Sequence, residues 1–562
     1  MMKFCSAGER IRWGDSPHFP RASLGTARAV PAAVWLLFLC VQAWAADLRL
    51  ENGRVWTGDA AHPWARSVAI TGNRISGVDT TEKAARVIDL QGKLVVPGFN
   101  DAHIHFLEGS LGLTQVNLTG VCTLESIQQK VREFVAAHPQ AEWITGRGWE
   151  YSCFPGNRLP AKEDLDAAVR DKPAFLIAYD GHTGWANSKA LRIGEVTAAS
   201  KTGGFGEVVL NERGEPSGTL KEGAQALVKR HVPPATREQK LEALRQGMKM
   251  AARLGITSFQ NASGNDDEAG LYDALPLTLR VSMALSVLPQ MTQQNVELAR
   301  PKNPRVRAAK FMMDGVIESH TAAMLEPYSD GSKTAGDPAW KQAEFNRQVA
   351  MADKLGLQVY THAIGDRAVR MALDGYENAL RVNGPHDARF RIEHIETVSA
   401  TDIPRFAKLG VMPSMEPIHA DPDSAEVWSN AVGPLRLPLA FAWRAFEKAG
   451  ARLVFSSDWP ASISVDPIRG IHCAVNRMTV EGVPKGGWVP EQKINVESAL
   501  RGYTADAAYA EFAEKTKGTI AKGMLADVAV LSQDLFRVDP REIYKTKVVL
   551  TVFDGRVVFE GL

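Results

Sequence analysis

Cysteine is scarce in this chain: five in 562 residues, and none at the spacing of a metal finger. Cys5 and Cys40 fall in the first 46 residues, which read differently from the rest, leaving Cys122, Cys153 and Cys473. Three thiols are too few for a disulfide framework. One bridge, Cys122–Cys153 for example, is open to them in an oxidising compartment. Excess charge is lacking as well. The 65 basic and 64 acidic side chains leave a formal charge of +1, and no run of Lys and Arg offers a surface for nucleic acid. Internal repeats and low-complexity tracts are missing too, and with 45% hydrophobic and 23% charged residues the composition is that of an ordinary globular protein.

What is present begins with an unusual N-terminus. Arg10, Arg12, Arg21 and Arg28 precede an apolar run, Ala29 to Ala43, that ends in the small-x-small pattern Ala43-Trp44-Ala45. The run is too short for a comfortable membrane span and suits a signal peptidase cut. The expectation is a bacterial export signal over residues 1–45 and a periplasmic or otherwise exported mature chain. An uncleaved N-terminal anchor is the alternative, and only then is a membrane partner expected.

Residues 46–96 are β-rich, with turn signals at Thr71-Gly72-Asn73 and Gln91-Gly92-Lys93, and residues 516–562 return to that style around Asp554-Gly555. The two ends are expected to build one small β-sandwich. Between them, residues 97–515 alternate strand-like and helical stretches, which favours an α/β fold with a parallel sheet, closed as a (β/α)₈ barrel. A stretch of about 120–235 breaks the alternation and reads as an insertion near the barrel mouth. Nine strand candidates compete for eight places: Gly98–His105, Leu113–Leu118, Ile256–Gln260, Arg280–Val287, Ala308–Asp314, Leu357–His362, Phe390–Ile395, Gly410–Ser414 and Leu453–Asp458. Arg280–Val287 and Ala308–Asp314 contend for the fourth, and the polar end of the latter favours it.

Ligand-type residues sit at the ends of these strands. His103 and His105 are two apart and so share a face, His362 ends Leu-Gln-Val-Tyr-Thr-His, His394 ends Arg-Ile-Glu-His, and Asp458 ends Val-Phe-Ser-Ser-Asp. In a barrel such ends converge on one mouth. Imidazole and carboxylate without thiolate suit Zn²⁺ or a similar divalent ion. A lone strand-end histidine is usually structural; four with an aspartate in this order are not. Lys310 is the weakest member, since a strand lysine is usually solvated or ion-paired.

The run Val95-Val96-Pro97-Gly98-Phe99-Asn100-Asp101-Ala102-His103-Ile104-His105 resembles the opening barrel strand of the amidohydrolase superfamily, and Lys517-Gly518-Thr519-Ile520 through Asp527 its C-terminal signature. Gly146-Arg147-Gly148-Trp149, Gly181-His182-Thr183-Gly184-Trp185, Lys310-Phe311-Met312-Met313-Asp314-Gly315, Thr361-His362-Ala363-Ile364-Gly365-Asp366 and Ser456-Ser457-Asp458-Trp459-Pro460 narrow this to a likeness to amidohydrolase family 3, including the YtcJ-like proteins and N-substituted formamide deformylases. The resemblance implies a ligand set of His103, His105, Lys310, His362, His394 and Asp458, with Lys310 carboxylated as a bridge between two ions. With Lys310 unmodified, a one-metal site is the fallback. Where that family tends to read Ser-Leu-Gly-Ser-Arg-Thr-Ala, this chain has Val316-Ile317-Glu318-Ser319-His320-Thr321-Ala322, which puts substrate preference in doubt and marks His320 as a substrate-contact candidate.

The chemistry expected is hydrolysis of a non-peptide C–N bond in a small-molecule amide (N-formyl or N-acyl), by metal-activated water with Asp458 as base and then acid. His182 and Trp185 are either substrate contacts or core of the insertion. Asp366 and Glu396 either orient His362 and His394 or are ordinary loop carboxylates. Two other classes stay open: a lyase or isomerase on the same metal site, and a non-catalytic periplasmic binding protein. A homodimer is the default oligomer.

Overall fold

The computed structural model describes residues 46–150, 153–154, 158–179, 181, 183–202, 206–289 and 301–562. The expected export segment 1–45 and His182 lie outside them.

Eight parallel strands form the central sheet: β1 (Phe99–Ile104), β2 (Ile256–Gly264), β3 (Arg280–Val287), β4 (Val306–Met312), β5 (Gln358–Ala363), β6 (Arg391–His394), β7 (Met412–Met415) and β8 (Val454–Phe455). They pair in chain order, from β1 with β2 through β7 with β8. β8 is only two residues long. The seam back to β1 is stitched just beyond it, where Ser457 N–H donates to Asp101 Oδ1 (3.1 Å) and Asp458 N–H donates to His103 O (2.8 Å). This is the barrel the alternation predicts, with one correction to its strands. Arg280–Val287 and the Val306–Met312 strand do not compete; they stand third and fourth. The surplus candidate was Leu113–Leu118, of which only Val116–Asn117 is strand, paired in parallel with Ile144–Trp149 outside the barrel.

That pairing belongs to a six-stranded sheet between β1 and β2, in the order Gly206–Leu210, Pro216–Glu222, Thr183–Ala186, Ala174–Ala178, Ile144–Trp149, Val116–Asn117. It has its own core, including Val116, Ile127, Leu165, Leu176, Trp149 and Trp185. Cys122 and Cys153 are joined there by a disulfide, and the remaining thiol among the described residues, Cys473, is buried elsewhere.

The termini share two further sheets. Leu94–Pro97 from the N-terminal section pairs antiparallel with Val528–Leu531 from the C-terminal one, within a six-stranded sheet. A four-stranded sheet holds Ala46–Glu51 between Val68–Thr71 and Ala84–Asp89. One aliphatic core fills the space, with Leu48, Leu50 and Ile70 against Val528, Val530 and Leu550. The strands alternate as half-buried strands do, Ala46–Glu51 reading buried, exposed, buried. Arg280, at the start of β3, ties barrel to sheets through paired hydrogen bonds to Asp527 and one to Asp554.

Barrel helices follow the local rules. Arg237–Arg253 starts at a capping box, Thr236 accepting from Gln239 N–H while Gln239 accepts from Thr236 N–H. Its buried stripe of Ala243, Leu244, Gly247, Met248, Ala251 and Ala252 has helical period. Gly247 is required there, because a Cβ would stand 2.1 Å from Ser110 Oγ on the neighbouring helix.

Candidate metal centre

Alternation along a strand normally sends neighbours to opposite faces. On β6, Arg391 and Glu393 point into the barrel while Ile392 joins the outer hydrophobic layer. His394 would then point outward, but its φ is +75° and that of Ile395 is +47°. These left-handed conformations, costly for residues other than glycine, turn His394 back to the mouth, where its ring centroid lies 4.9 Å from that of His103 and 4.5 Å from that of His362. Asp458 does the same after β8, at φ +56°. The backbone is bent where the ligand-type side chains are.

The expected set gathers here. Asp458 Oδ1 stands 3.4 Å from His103 Nε2 and 3.3 Å from His105 Nε2. Lys310, a residue only 4% exposed, places Nζ 3.3 Å from His103 Nε2. His362 directs Nε2 to Gly315 O at 3.1 Å, leaving Nδ1 as the nitrogen a metal would take in this ring pose. An ionised carboxylate only accepts, so Glu393 Oε2, 2.7 Å from His103 Nδ1, fixes the proton on that nitrogen, and Glu416 Oε2, when ionised, does so for His394 Nδ1 at 2.8 Å. Their Nε2 edges are thereby freed for a cation. Ser263 Oγ contacts His105 Nδ1 at 3.0 Å.

Beneath the histidines runs a buried polar floor. Arg391 donates to both oxygens of Glu393 (2.9 and 3.1 Å), to Ala102 O and to Ser414 Oγ, and its guanidinium lies 4.0 Å from the centre of the Tyr360 ring. Electrostatics follow from enclosure. Burial lowers the imidazolium pKa of His103 and His362 well below the usual histidine range and that of His394 to about 3, so neutral ligands are favoured. Burial also lowers Lys310 and raises Glu416 to about 8. For Asp458 burial pulls upward, but the surrounding imidazoles, His103 first, hold the carboxyl well below its ordinary value.

The donor set fits a divalent cation. One donor atom each from His103, His394 and Asp458 lies within 4.8 Å of the other two. Two buried polar atoms, Asp458 Oδ1 and His419 Nε2, make no hydrogen bond. Each such atom costs on the order of 1–3 kcal/mol when left uncompensated, a cost that an ion bound among them relieves.

The profile of the amidohydrolase family matches residues 86–559. The chain belongs to the amidohydrolase family. Among curated relatives it is 31% identical to the protein LONG AFTER FAR-RED 3 of Arabidopsis thaliana over 87% of each chain. It is 28% identical to the N-substituted formamide deformylase of Arthrobacter pascens, over 92% of this chain and 98% of that one. A crystal structure of an uncharacterized metal-dependent hydrolase from Pyrococcus horikoshii superposes with a TM-score of 0.71 at 26% identity, over 88% of this chain and 99% of that one.

Not every residue singled out in this amidohydrolase-family sequence joins the centre. Trp185 is fully buried, donating Nε1–H to Ala161 O and packed edge-on to Trp149 and Phe154, so it is insertion core rather than a substrate contact. His320 lies half-exposed after β4 and is paired with Asp330. Asp366 accepts Leu325 N–H, and Glu396 accepts from Trp428 Nε1, so neither orients a histidine. The carboxylates that do are Glu393 and Glu416. Near His362 the acid is Asp314, 3.6 Å from Nε2. The signal for Glu393 was an acid at an inward position of an otherwise buried strand. For Glu416 and His419 it was the rule already applied elsewhere, polar residues just past a strand end, here β7.

Proposed function

We propose that this chain is a metal-dependent hydrolase of a non-peptide C–N bond in a small amide of the N-formyl or N-acyl class, using zinc. One observation carries the reading: donor atoms of His103 and His394, from the ends of β1 and β6, gather with Asp458 after β8, where a buried carboxylate oxygen is left without a hydrogen-bond partner. His103, His105, His362, His394 and Asp458 would hold the metal, with a carboxylated Lys310 bridging if two ions bind. Nitrogen and oxygen donors without thiolate suit Zn²⁺. A bound divalent ion supplies Lewis acidity and a water ionised near neutral pH.

The chain's own residues do the rest. Glu393 and Glu416 keep His103 and His394 in one tautomer and one pose. Asp458 takes the proton released by the attacking water and hands it to the leaving nitrogen. Burial of Lys310 favours the neutral amine, which adds to CO₂ with loss of one proton to give the carbamate. The name of the Arthrobacter pascens relative, an N-substituted formamide deformylase, supports the substrate class. The mature chain is exported on this reading, supported by the Cys122–Cys153 disulfide, a bond that persists in oxidising compartments, and by the apolar run Ala29 to Ala43.

The test is metal content of the purified protein, with Lys310→Ala and Asp458→Ala beside wild type, and hydrolysis of N-formyl and N-acyl amines by each. Near two ions per chain, reduced by Lys310→Ala, with activity lost in both variants, is the expected outcome. One ion indifferent to Lys310→Ala removes the carbamate. No metal and no turnover in wild type sinks the proposal.

A further inference from the structure

The turn Glu416-Pro417-Ile418-His419, just past β7, brings one more imidazole to the centre. The rings of His394 and His419 are parallel to within 10°, their centroids 5.9 Å apart. Glu416 Oε2 is 2.8 Å from Nδ1 of His394 and 4.0 Å from Nδ1 of His419. His419 Nε2 is 3.7 Å from Asp458 Oδ2. His419 thus repeats the pose of His394, with Nδ1 toward the same carboxylate and the opposite ring edge toward the same aspartate.

Three observations separate this from a packed structural histidine. Its Nε2 is buried yet makes no hydrogen bond, whereas a merely structural imidazole would be expected to find a partner. It approaches Asp458 from the Oδ2 side, while His103 and His105 occupy the Oδ1 side. The spacing is also that of co-ligands. Two donors each about 2.1 Å from one ion stand roughly 3.4 Å apart at a tetrahedral angle and up to about 4.2 Å in line. The 3.7 Å separation lies in that range, as does the 3.4 Å to His103 on the other side, with the 3.3 Å to His105 just below its lower end.

We infer that His419 is a metal ligand, adding a nitrogen on the Oδ2 side of Asp458. This rests on the metal-centre reading above, and the experiment separates the two. Wild type, His419→Ala, His419→Gln and, as a benchmark, His394→Ala are stripped with a chelator. They are then titrated with Zn²⁺ against a chromophoric chelator and with Co²⁺ while the visible spectrum is recorded. Both His419 variants are expected to hold at least one ion about tenfold more weakly than wild type or worse, with altered Co²⁺ bands. Their metal-free unfolding temperatures should stay near that of wild type. If Ala loosens the turn, Gln, which fills similar space without an imidazole, carries the comparison. Wild-type affinity, stoichiometry and Co²⁺ spectrum in the His419 variants would overturn the inference while leaving the metal centre intact. A wild type that takes up neither ion would overturn the centre itself.

Discussion

The terminal sheets and the barrel mouth fill their interiors in opposite ways. Between the sheets, Leu48, Leu50, Ile70, Val528, Val530 and Leu550 pack as an aliphatic core, stabilised by burial at about 25 cal/mol per Å². In the barrel the enclosed side chains under the mouth are Arg391, Glu393, Gln260, Ser414 and His103, and the backbone above them is bent into left-handed conformations at His394, Ile395 and Asp458. The first region obeys local rules and gains stability from doing so. The second departs from them where ligands must converge, as sites that trade stability for chemistry do.

Substitutions should therefore fall into two classes. The largest effect is expected from Asp458→Asn, which keeps shape and removes the proposed base: about 10³-fold in kcat, with little change in metal-free unfolding by urea. A matching loss of stability would erase the contrast. Next, Arg391→Met strands Glu393 as an unpaired buried charge. It should cost about 3–5 kcal/mol and lower metal affinity as well, because Glu393 also holds His103; urea melts and metal analysis read both. Leu550→Ala, in the terminal core, should cost roughly 2–4 kcal/mol while metal content and Co²⁺ spectrum stay at wild type. A spectral change there would mean the two regions are coupled.

The most gradual effect, growing only as pH rises, concerns Asp314, which accepts N–H bonds from Ala323, Ile364 and Gly365. Burial nevertheless raises its pKa from 3.8 to about 7. Between those values the folded protein holds a proton that the unfolded chain has lost, so stability falls as pH rises. Wild type should lose stability relative to Asp314→Asn from about pH 4 to about pH 7, at no more than roughly 1.4 kcal/mol per pH unit. A constant difference across that range would show the carboxyl ionised in the fold.

Much of this was legible in the chain, for identifiable reasons. Barrel strands buried on both faces read as apolar runs, and a ligand-type residue at such an end stands out, which is what marks His103, His362, His394 and Asp458 as candidates. The orienting acids were misassigned because Asp366 and Glu396 are neighbours of the histidines in sequence, whereas orientation comes from across the barrel. Glu393 reaches a histidine of β1, and Glu416 one of β6. Strict alternation would have placed Glu393 and His394 on opposite faces, and the positive φ that reunites them is not a property of the residue types. Trp185 could not be told from a substrate contact until its partners Trp149 and Phe154 were known. Leu113–Leu118 looked like a barrel strand because its composition is that of one, but its mate lies in the insertion.

The seam of the barrel carries one more consequence. β8 contributes two residues, and closure rests on amides of Ser457 and Asp458 reaching β1 across some 356 positions of sequence. The same two chain segments supply ligand-type side chains, so docking the last strand and assembling the binding pocket are one event. Contacts so far apart in sequence are costly to close and slow to form. An ion can then report when the polypeptide has finished folding, and in the metal-free protein the first place to breathe should be this seam, with fast hydrogen exchange at the Asp458 amide that slows on adding Zn²⁺.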